Sequence, residues 1–538
     1  MTFDTVIRGG RLVDGTGLPS RMADVALVDG RIAAIVDPGH FGDAVARTFV
    51  DADGLVVAPG FVDIHNHGDV TVVADPRARS AIAQGVTTIV VGNCGQSPAP
   101  LPIPETLPDL AFGRVDPSVI SWETFDGYLD AVDAARPAVN VASLAGHNAI
   151  RVAVLGRSAR AGTSSDQRAM VAELDRAVEA GAFGLSLGLE YPLGAGSQTD
   201  ELVTMAEAVA RHDGLFAIHT RDRDFAAVEA FDEAFGIAER TGVALQISHI
   251  APRRGAPDGA LEDVLTRIDR SRSAGLDVAC DQHTRQHGIT KLVAMLPPTA
   301  SAGGPDELLR QLRDPSTRAS FHAFRNPIHK LGLLGEWDRL ALFEAPASPE
   351  WVGKDFATIG KERGEHPLDA MMDILIEAGD DASSVMFVGL VQTERDLDLT
   401  FASPTCVPES DATVLALDGP LADQRFLGAY TWAAFYLRCI VRERQVLGLE
   451  EGIHRLTGMP ARRLGLTDRG VLTPGAWGDV AIFDPDLVED LGTVADPNRF
   501  PRGIRHVLVN GEVAFDDGWF TAGRAGRVLR RPGLGVAS

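Results

Sequence analysis

Lysine is almost missing from this chain. Only four occur, Lys291, Lys330, Lys354 and Lys361, and none precedes position 291. Any chemistry that needs a lysine on an earlier strand is therefore excluded. Cysteine is scarce too. Four in 538 residues make no disulfide framework, and a reducing cytoplasm is the expected compartment. No apolar run is long enough to span a bilayer. The first residues, MTFDTVIRGGRLVDG, lack the basic start and apolar stretch of a signal peptide. Positive charge is in deficit: 50 Lys and Arg stand against 74 Asp and Glu, a net charge of −24. Phosphate recognition needs a basic face, so neither nucleic acid nor a membrane is expected as a partner. What is present is an acidic chain, 45% hydrophobic, with ample material for a large core. Homo-oligomerisation is left open.

The two ends read alike. Residues 4–36 alternate apolar and polar positions between Gly-rich turns, as short antiparallel strands do. Residues 471–534 do the same, and Asn510-Gly511 is a hairpin signal. Strands need partners, so residues 1–57 and 465–538 are expected to pair into one small, discontinuous β-sandwich domain. The middle, residues 58–464, alternates short apolar runs with helical patterns, the mark of βαβ units. Candidate strands end near Ile64, Gly92, Gly146, Leu189, Ile218, Ser248, Asp281 and Ser410. Eight such units suggest a (β/α)₈ barrel, which fits in one unit of more than about 250 residues. A doubly wound open sheet is the alternative. The clearest helix is expected over residues 165–180, with Ser164 as N-cap and Gly181 as its stop. Residues 289–380 break the rhythm and are expected to form an inserted lid or subdomain.

His65 and His67 stand two apart at the end of an apolar run, so on a strand both imidazoles face one side. Cys94 ends the second candidate strand in a Gly-Asn-Cys-Gly turn. His219 ends the fifth, His249 the sixth and Asp411 the eighth. Singly, each histidine reads as well as a structural residue, and Cys94 as a buried thiol. Jointly they sit where an α/β barrel places its active site, at the C-terminal strand ends. Imidazole and thiolate are good zinc ligands. Chemistry by a zinc-activated water would need a carboxylate to move protons, and Asp411 is the candidate. His147 could donate to an oxyanion or be purely structural. Gly184-Leu185-Ser186-Leu187-Gly188 matches G-x-S-x-G, but Pro192 and Gly194 argue against the helix that a nucleophilic serine requires directly after it.

These motifs resemble the amidohydrolase superfamily, and within it the D-aminoacylase (N-acyl-D-amino-acid deacylase) family. The resemblance covers nearly the whole chain. It is carried by GFVDIHNHGD (60–69), QGVTTIVVGNCGQSPAP, GHNAIR (146–151), GAFGLSLGLEYP (181–192), the His219 and His249 strands, and LTGMPARRLGLTDRGVLTPGAWGDVAIFDP. It implies a metal barrel with a β-sandwich built from both ends. It also implies that Cys94 takes the bridging place of the carboxylated lysine used by many superfamily members, in agreement with the missing lysines. A tight zinc at Cys94, His219 and His249 is implied, with a weaker second site at His65 and His67.

The substrate side departs from the family pattern. Tyr191 matches a family tyrosine. Ala251, however, stands where a lysine would grip the substrate carboxylate, and Asp281-Gln282-His283-Thr284-Arg285 replaces a tyrosine-bearing segment. The family's late arginine segment is missing as well. His283 and Arg285, or Arg425, are the candidate replacements. On this reading simple N-acetyl-D-amino acids are expected to be poor substrates, and a larger amide, or one without a free α-carboxylate, to be preferred. Another linear or cyclic amide, or a non-catalytic binding role, are the alternatives.

Overall fold

The structure is a computed structural model that describes residues 2–41, 46–301 and 303–531. Residues 1, 42–45, 302 and 532–538, which fall within the expected domain and insertion ranges, lie outside it.

Among the described residues, eight parallel strands follow one another around the centre: Phe61–Asp63, Val86–Val91, Asn140–Ser143 with its continuation Ala145–Gly146, Gly184–Gly188, Leu215–His219, Ala244–Ile247, Val278–His283 and Cys406–Glu409. Each is hydrogen-bonded to the next. The ring is joined at the last seam by a parallel bridge between Asn66 and Ala412. There Asp411 N donates to His65 O (3.0 Å) and His67 N to Ala412 O (2.9 Å). This is the barrel rather than an open sheet. Its interior is filled by Val62, Ile64, Val90, Ala142, Leu144, Phe183, Ala217 and Val407, the branched and aromatic filling of a packed barrel.

The expected long helix spans Ser164–Ala180 and stops at Gly181, whose φ of 119° suits glycine. Its N-cap is Thr163, not Ser164. The Thr163 side chain and Asp166 form a reciprocal capping box, and an aspartate three residues on selects Thr163 for that place.

Strands from both ends of the chain meet in one nine-stranded sheet among the described residues. Val56–Pro59 pairs antiparallel with Val480–Phe483, so the N-terminal and C-terminal strands are continuous. They share a core of Ile7, Val25, Leu27, Ile32, Val57, Val480, Ile482 and Leu508. The hairpin Ile504–Val509 and Glu512–Asp516 turns at Asn510 and Gly511, with φ of 48° and 83°. Two positive φ values make the tight turn that matches strand twist. Asn510 also reaches the barrel: its Nδ2 donates to Asn140 Oδ1 at 2.8 Å, beside the buried Arg469–Asp479 pair.

The insertion has its own sheet and core. Strands His287–Lys291, Leu340–Glu344 and Met386–Leu390 pair antiparallel, with the third in the middle. Leu292, Leu308, Leu331, Leu342, Phe356, Met371 and Phe387 fill its interior. Strand pairing therefore carries the segment to Leu390, beyond the expected boundary at 380. A strand that returns to complete a sheet leaves no loop signal at the earlier position.

Candidate active site

The C-terminal mouth of the barrel gathers five of the predicted side chains around one sulfur. Cys94 Sγ lies 3.3 Å from His65 Nε2, 3.3 Å from His249 Nε2 and 3.5 Å from His219 Nδ1. Asp411 faces this group, its Oδ1 being 3.3 Å from His67 Nε2 and 3.7 Å from His65 Nε2. All are buried or nearly so.

The backbone is bent to place them. Cys94, His249 and Asp411 have φ of 52°, 35° and 41°, a left-handed conformation that non-glycine residues seldom adopt and that clusters at functional sites. The Cys94 turn depends on Gly95, with φ of 71°, where a Cβ would come within 2.6 Å of Gly188 N. Ser186, the serine of the G-x-S-x-G match, braces this turn. Its Oγ accepts from Gly95 N at 2.9 Å and donates to Gly92 O. The serine lies mid-strand and fully buried, which excludes the nucleophile role. A short helical turn does follow, at Pro192–Ala195, because proline is well suited to a helix's first position.

Two carboxylates that sequence reasoning did not assign orient the imidazoles. Asp281 Oδ1 lies 3.3 Å from His65 Nδ1 and accepts from His249 N at 2.7 Å, while Oδ2 accepts from Gln246 Nε2 at 2.8 Å. This leaves His65 Nε2 directed at the thiol. Glu190 Oε2 lies 2.6 Å from His219 Nε2 and leaves Nδ1 for the thiol. Such outer partners fix ring and tautomer at metal sites. A signal for Asp281 existed: it stands two residues before His283 on one strand and so shares its face. Glu190 follows the fourth strand with no comparable periodic mark.

Electrostatics suits the same reading. Burial pushes the Cys94 thiol up to about 11, so a bare thiolate is unfavourable and a cation is needed to hold one. Burial also pulls His219 down to about 4, keeping it neutral and able to act as a ligand. Burial alone would raise Asp411. The adjacent His67 imidazole and the charges of His65 and Arg285 instead hold its carboxyl well below the usual range. Glu409, two residues before it, has both oxygens buried without a hydrogen bond, and burial drives its carboxyl well above the usual range.

The remaining candidates divide. Tyr191 packs on His219 with ring centroids 5.0 Å apart. It also walls a small cleft with Leu193, Lys291, Val293 and Pro298. His283 is buried at the end of the seventh strand with Nδ1 unpartnered. Arg285 is at the site but already engaged. Its guanidinium donates to Ser410 O and to Asp411 O (3.0 Å) and lies 3.4 Å from Asp411 Oδ2. It braces the carboxylate rather than standing free. Arg425 donates to Ala495 O and lies over the Phe343 ring. His147 makes a different set of contacts. Its Nε2 lies 3.1 Å from Glu201, which also binds Arg151. No contact given among the described residues joins it to Cys94, the other site histidines or Asp411; it opens the helix after the third strand, and Glu201 lies on the helix Thr199–Arg211.

Barrel, mouth and donor set together are those of a metal-dependent hydrolase. The chain belongs to the amidohydrolase family, whose model matches residues 48–331 and 412–515. It is 34% identical over 532 residues to an N-acyl-D-glutamate deacylase of Alcaligenes xylosoxydans xylosoxydans, covering 98% of this chain and 97% of that relative. It is 32% identical over 536 residues to a D-aminoacylase of the same organism, covering 98% of each. Among solved structures it resembles the N-acyl-D-glutamate deacylase of Bordetella bronchiseptica in complex with zinc and a phosphonate inhibitor, a mimic of the tetrahedral intermediate. That match has a TM-score of 0.82 at 33% identity and covers 98% of this chain and all of the other. No helix among the described residues is long and apolar enough to cross a membrane.

Proposed function

We propose that this protein is a zinc-dependent deacylase that hydrolyses the amide bond of N-acyl-D-amino acids. The observation that carries the reading is the buried Cys94 thiol with three imidazole nitrogens 3.3–3.5 Å from it. Ligands of one tetrahedral zinc, at about 2.3 Å for sulfur and about 2.05 Å for nitrogen, stand roughly 3.6 Å apart. The donor set fits zinc for a second reason. His67 has both ring nitrogens buried without a hydrogen-bond partner, so its Nε2 is open to a ligand, and an unsatisfied buried polar atom is costly until one is bound. Cys94, His219 and His249 would hold the tighter ion, and His65 and His67, sharing Cys94, a weaker one. When bound, zinc supplies a Lewis acid that polarises the scissile carbonyl and favours ionisation of water near neutrality.

The chain's own groups do the rest. Asp411, held ionised, accepts the proton of the attacking water and passes it to the leaving amine. Arg285 fixes the Asp411 backbone and carboxylate. Tyr191 and the cleft beside it receive the apolar part of the substrate. The D-configured N-acyl-amino acid is taken from the relatives' activity. A panel of N-acyl-amino acids of both configurations, with simple and cyclic amides, tests the reading on zinc-loaded protein. The D-enantiomers are expected to reach kcat/KM of at least about 10⁴ M⁻¹s⁻¹, the low end of ordinary enzymes, and to exceed the L-forms by about 10²-fold or more. Faster cleavage of a cyclic amide or of the L-form would overturn it.

A further inference from the structure

We infer that Arg223, in the loop four residues past His219, is the group that receives the substrate's carboxylate; the inference rests on the deacylase reading and names how that site recognises its acid. Arg223 is 7% exposed, and its position is fixed twice. Its guanidinium donates to His249 O at 2.6 Å, and its own carbonyl accepts from Arg253 N at 2.6 Å. Every other cation around it has an acidic partner: Arg253 has Glu190 and Asp224, Lys330 has Asp222, Arg285 has Asp411 and Arg221 has Glu233. Arg223 has no ion-pair partner among the described residues, and its Nε is buried with no hydrogen bond. A buried, unpaired guanidinium is strongly unfavourable, and an anion that enters relieves it. The guanidinium fork matches a carboxylate in a bidentate geometry.

The surroundings indicate where that anion sits. Arg223 is within electrostatic reach of Cys94 and Asp411, the reacting end of the site, and of His283 and His329. His283 Nδ1 and His329 Nδ1 are both buried without partners, so two more donors are unused. His283 comes from the barrel and His329 from the insertion. The insertion is pinned beside Arg223 by Lys330, whose Nζ lies 3.0 Å from Asp222 Oδ2. The carboxylate subsite is thus assembled where barrel and insertion meet. This changes the expectation drawn from Ala251. The cation missing after the sixth strand is supplied by the loop after the fifth, and an amide bearing a free α-carboxylate fits the site.

The test compares N-acetyl-D-methionine with its carboxamide, by calorimetric binding and by turnover, on zinc-loaded wild type and on Arg223→Met and Arg223→Lys. Wild type is expected to bind the acid at least about 30-fold more tightly than the carboxamide, the scale of a desolvated charge pair. Arg223→Met is expected to erase that preference through KM, with under about 3-fold effect on the carboxamide and unchanged zinc content. Arg223→Lys keeps the charge without the fork and is expected to retain part of the preference. It also decides the matter should the methionine variant not fold. Equal binding of acid and carboxamide by wild type overturns the inference, even if both are cleaved, which leaves the deacylase reading intact. Equal loss for both ligands in the variants also overturns it, since Arg223 would then serve only to hold the His249 carbonyl. Preferential binding of the acid with no cleavage of either compound would sustain the subsite and sink the deacylase reading.

Discussion

Replacing Asp411 by Asn is expected to lower kcat by at least about 10²-fold, the usual loss when a general base is removed. The zinc held by Cys94, His219 and His249 should stay. The amide preserves the shape of the carboxylate and can still contact Arg285, but it cannot take a proton. Its neighbours make the comparison clean. Arg285 binds the Asp411 carbonyl at 3.0 Å as well as its side chain, so the backbone remains braced in the variant. The native carboxyl lies well below its ordinary range because the His67 contact and the nearby cations outweigh burial. A group with its pKa depressed in this way is ionised above that value and becomes protonated only as pH falls through it. Asp411 should therefore set no acid limit to activity near neutral pH. Steady-state kinetics with metal analysis checks the prediction, and near-normal kcat with full zinc would move the role to another group.

Replacing Cys94 by Ala is expected to remove most bound zinc and to reduce turnover by at least about 10²-fold. The loss of a ligand should exceed the 10–100-fold typical of disturbing an outer partner. The sulfur lies within 3.5 Å of a ring nitrogen of three imidazoles. Without it the remaining nitrogens belong to separate strands with no common donor between them. Alanine fits the same space, so the metal-free forms of both proteins should melt alike. Full zinc and full turnover in the variant would show Cys94 to be a core thiol.

Much of this site was legible because barrel geometry converts position in sequence into position in space. His65, His67, Cys94, His219, His249 and Asp411 each end an apolar run, and parallel strands deliver such ends to one mouth. The absence of early lysines agreed with the bridging place that the family resemblance implies for Cys94. The strand-rich ends were readable from period-two alternation and from Asn510-Gly511. What escaped was set by tertiary contact alone. Arg223 and Arg285 look alike in sequence, yet Arg285 is consumed by Asp411 and Arg223 is left unpaired. His147 sits beside a strand end like the others, but it opens a helix and faces Glu201. Asp281 and Glu190 act through imidazoles contributed by distant strands, and no local pattern records such a pairing.

The central claim is that a cysteine-anchored zinc and Asp411 together cleave an N-acyl-D-amino acid. The most direct test is to strip the wild-type protein with a chelator, add zinc back stepwise, and follow hydrolysis of an N-acyl-D-amino acid alongside bound metal. Activity is predicted to vanish in the stripped protein and to return in step with the first zinc bound per chain. Hydrolysis that persists in fully metal-free protein, or that fails to return when one zinc per chain is restored, would contradict it.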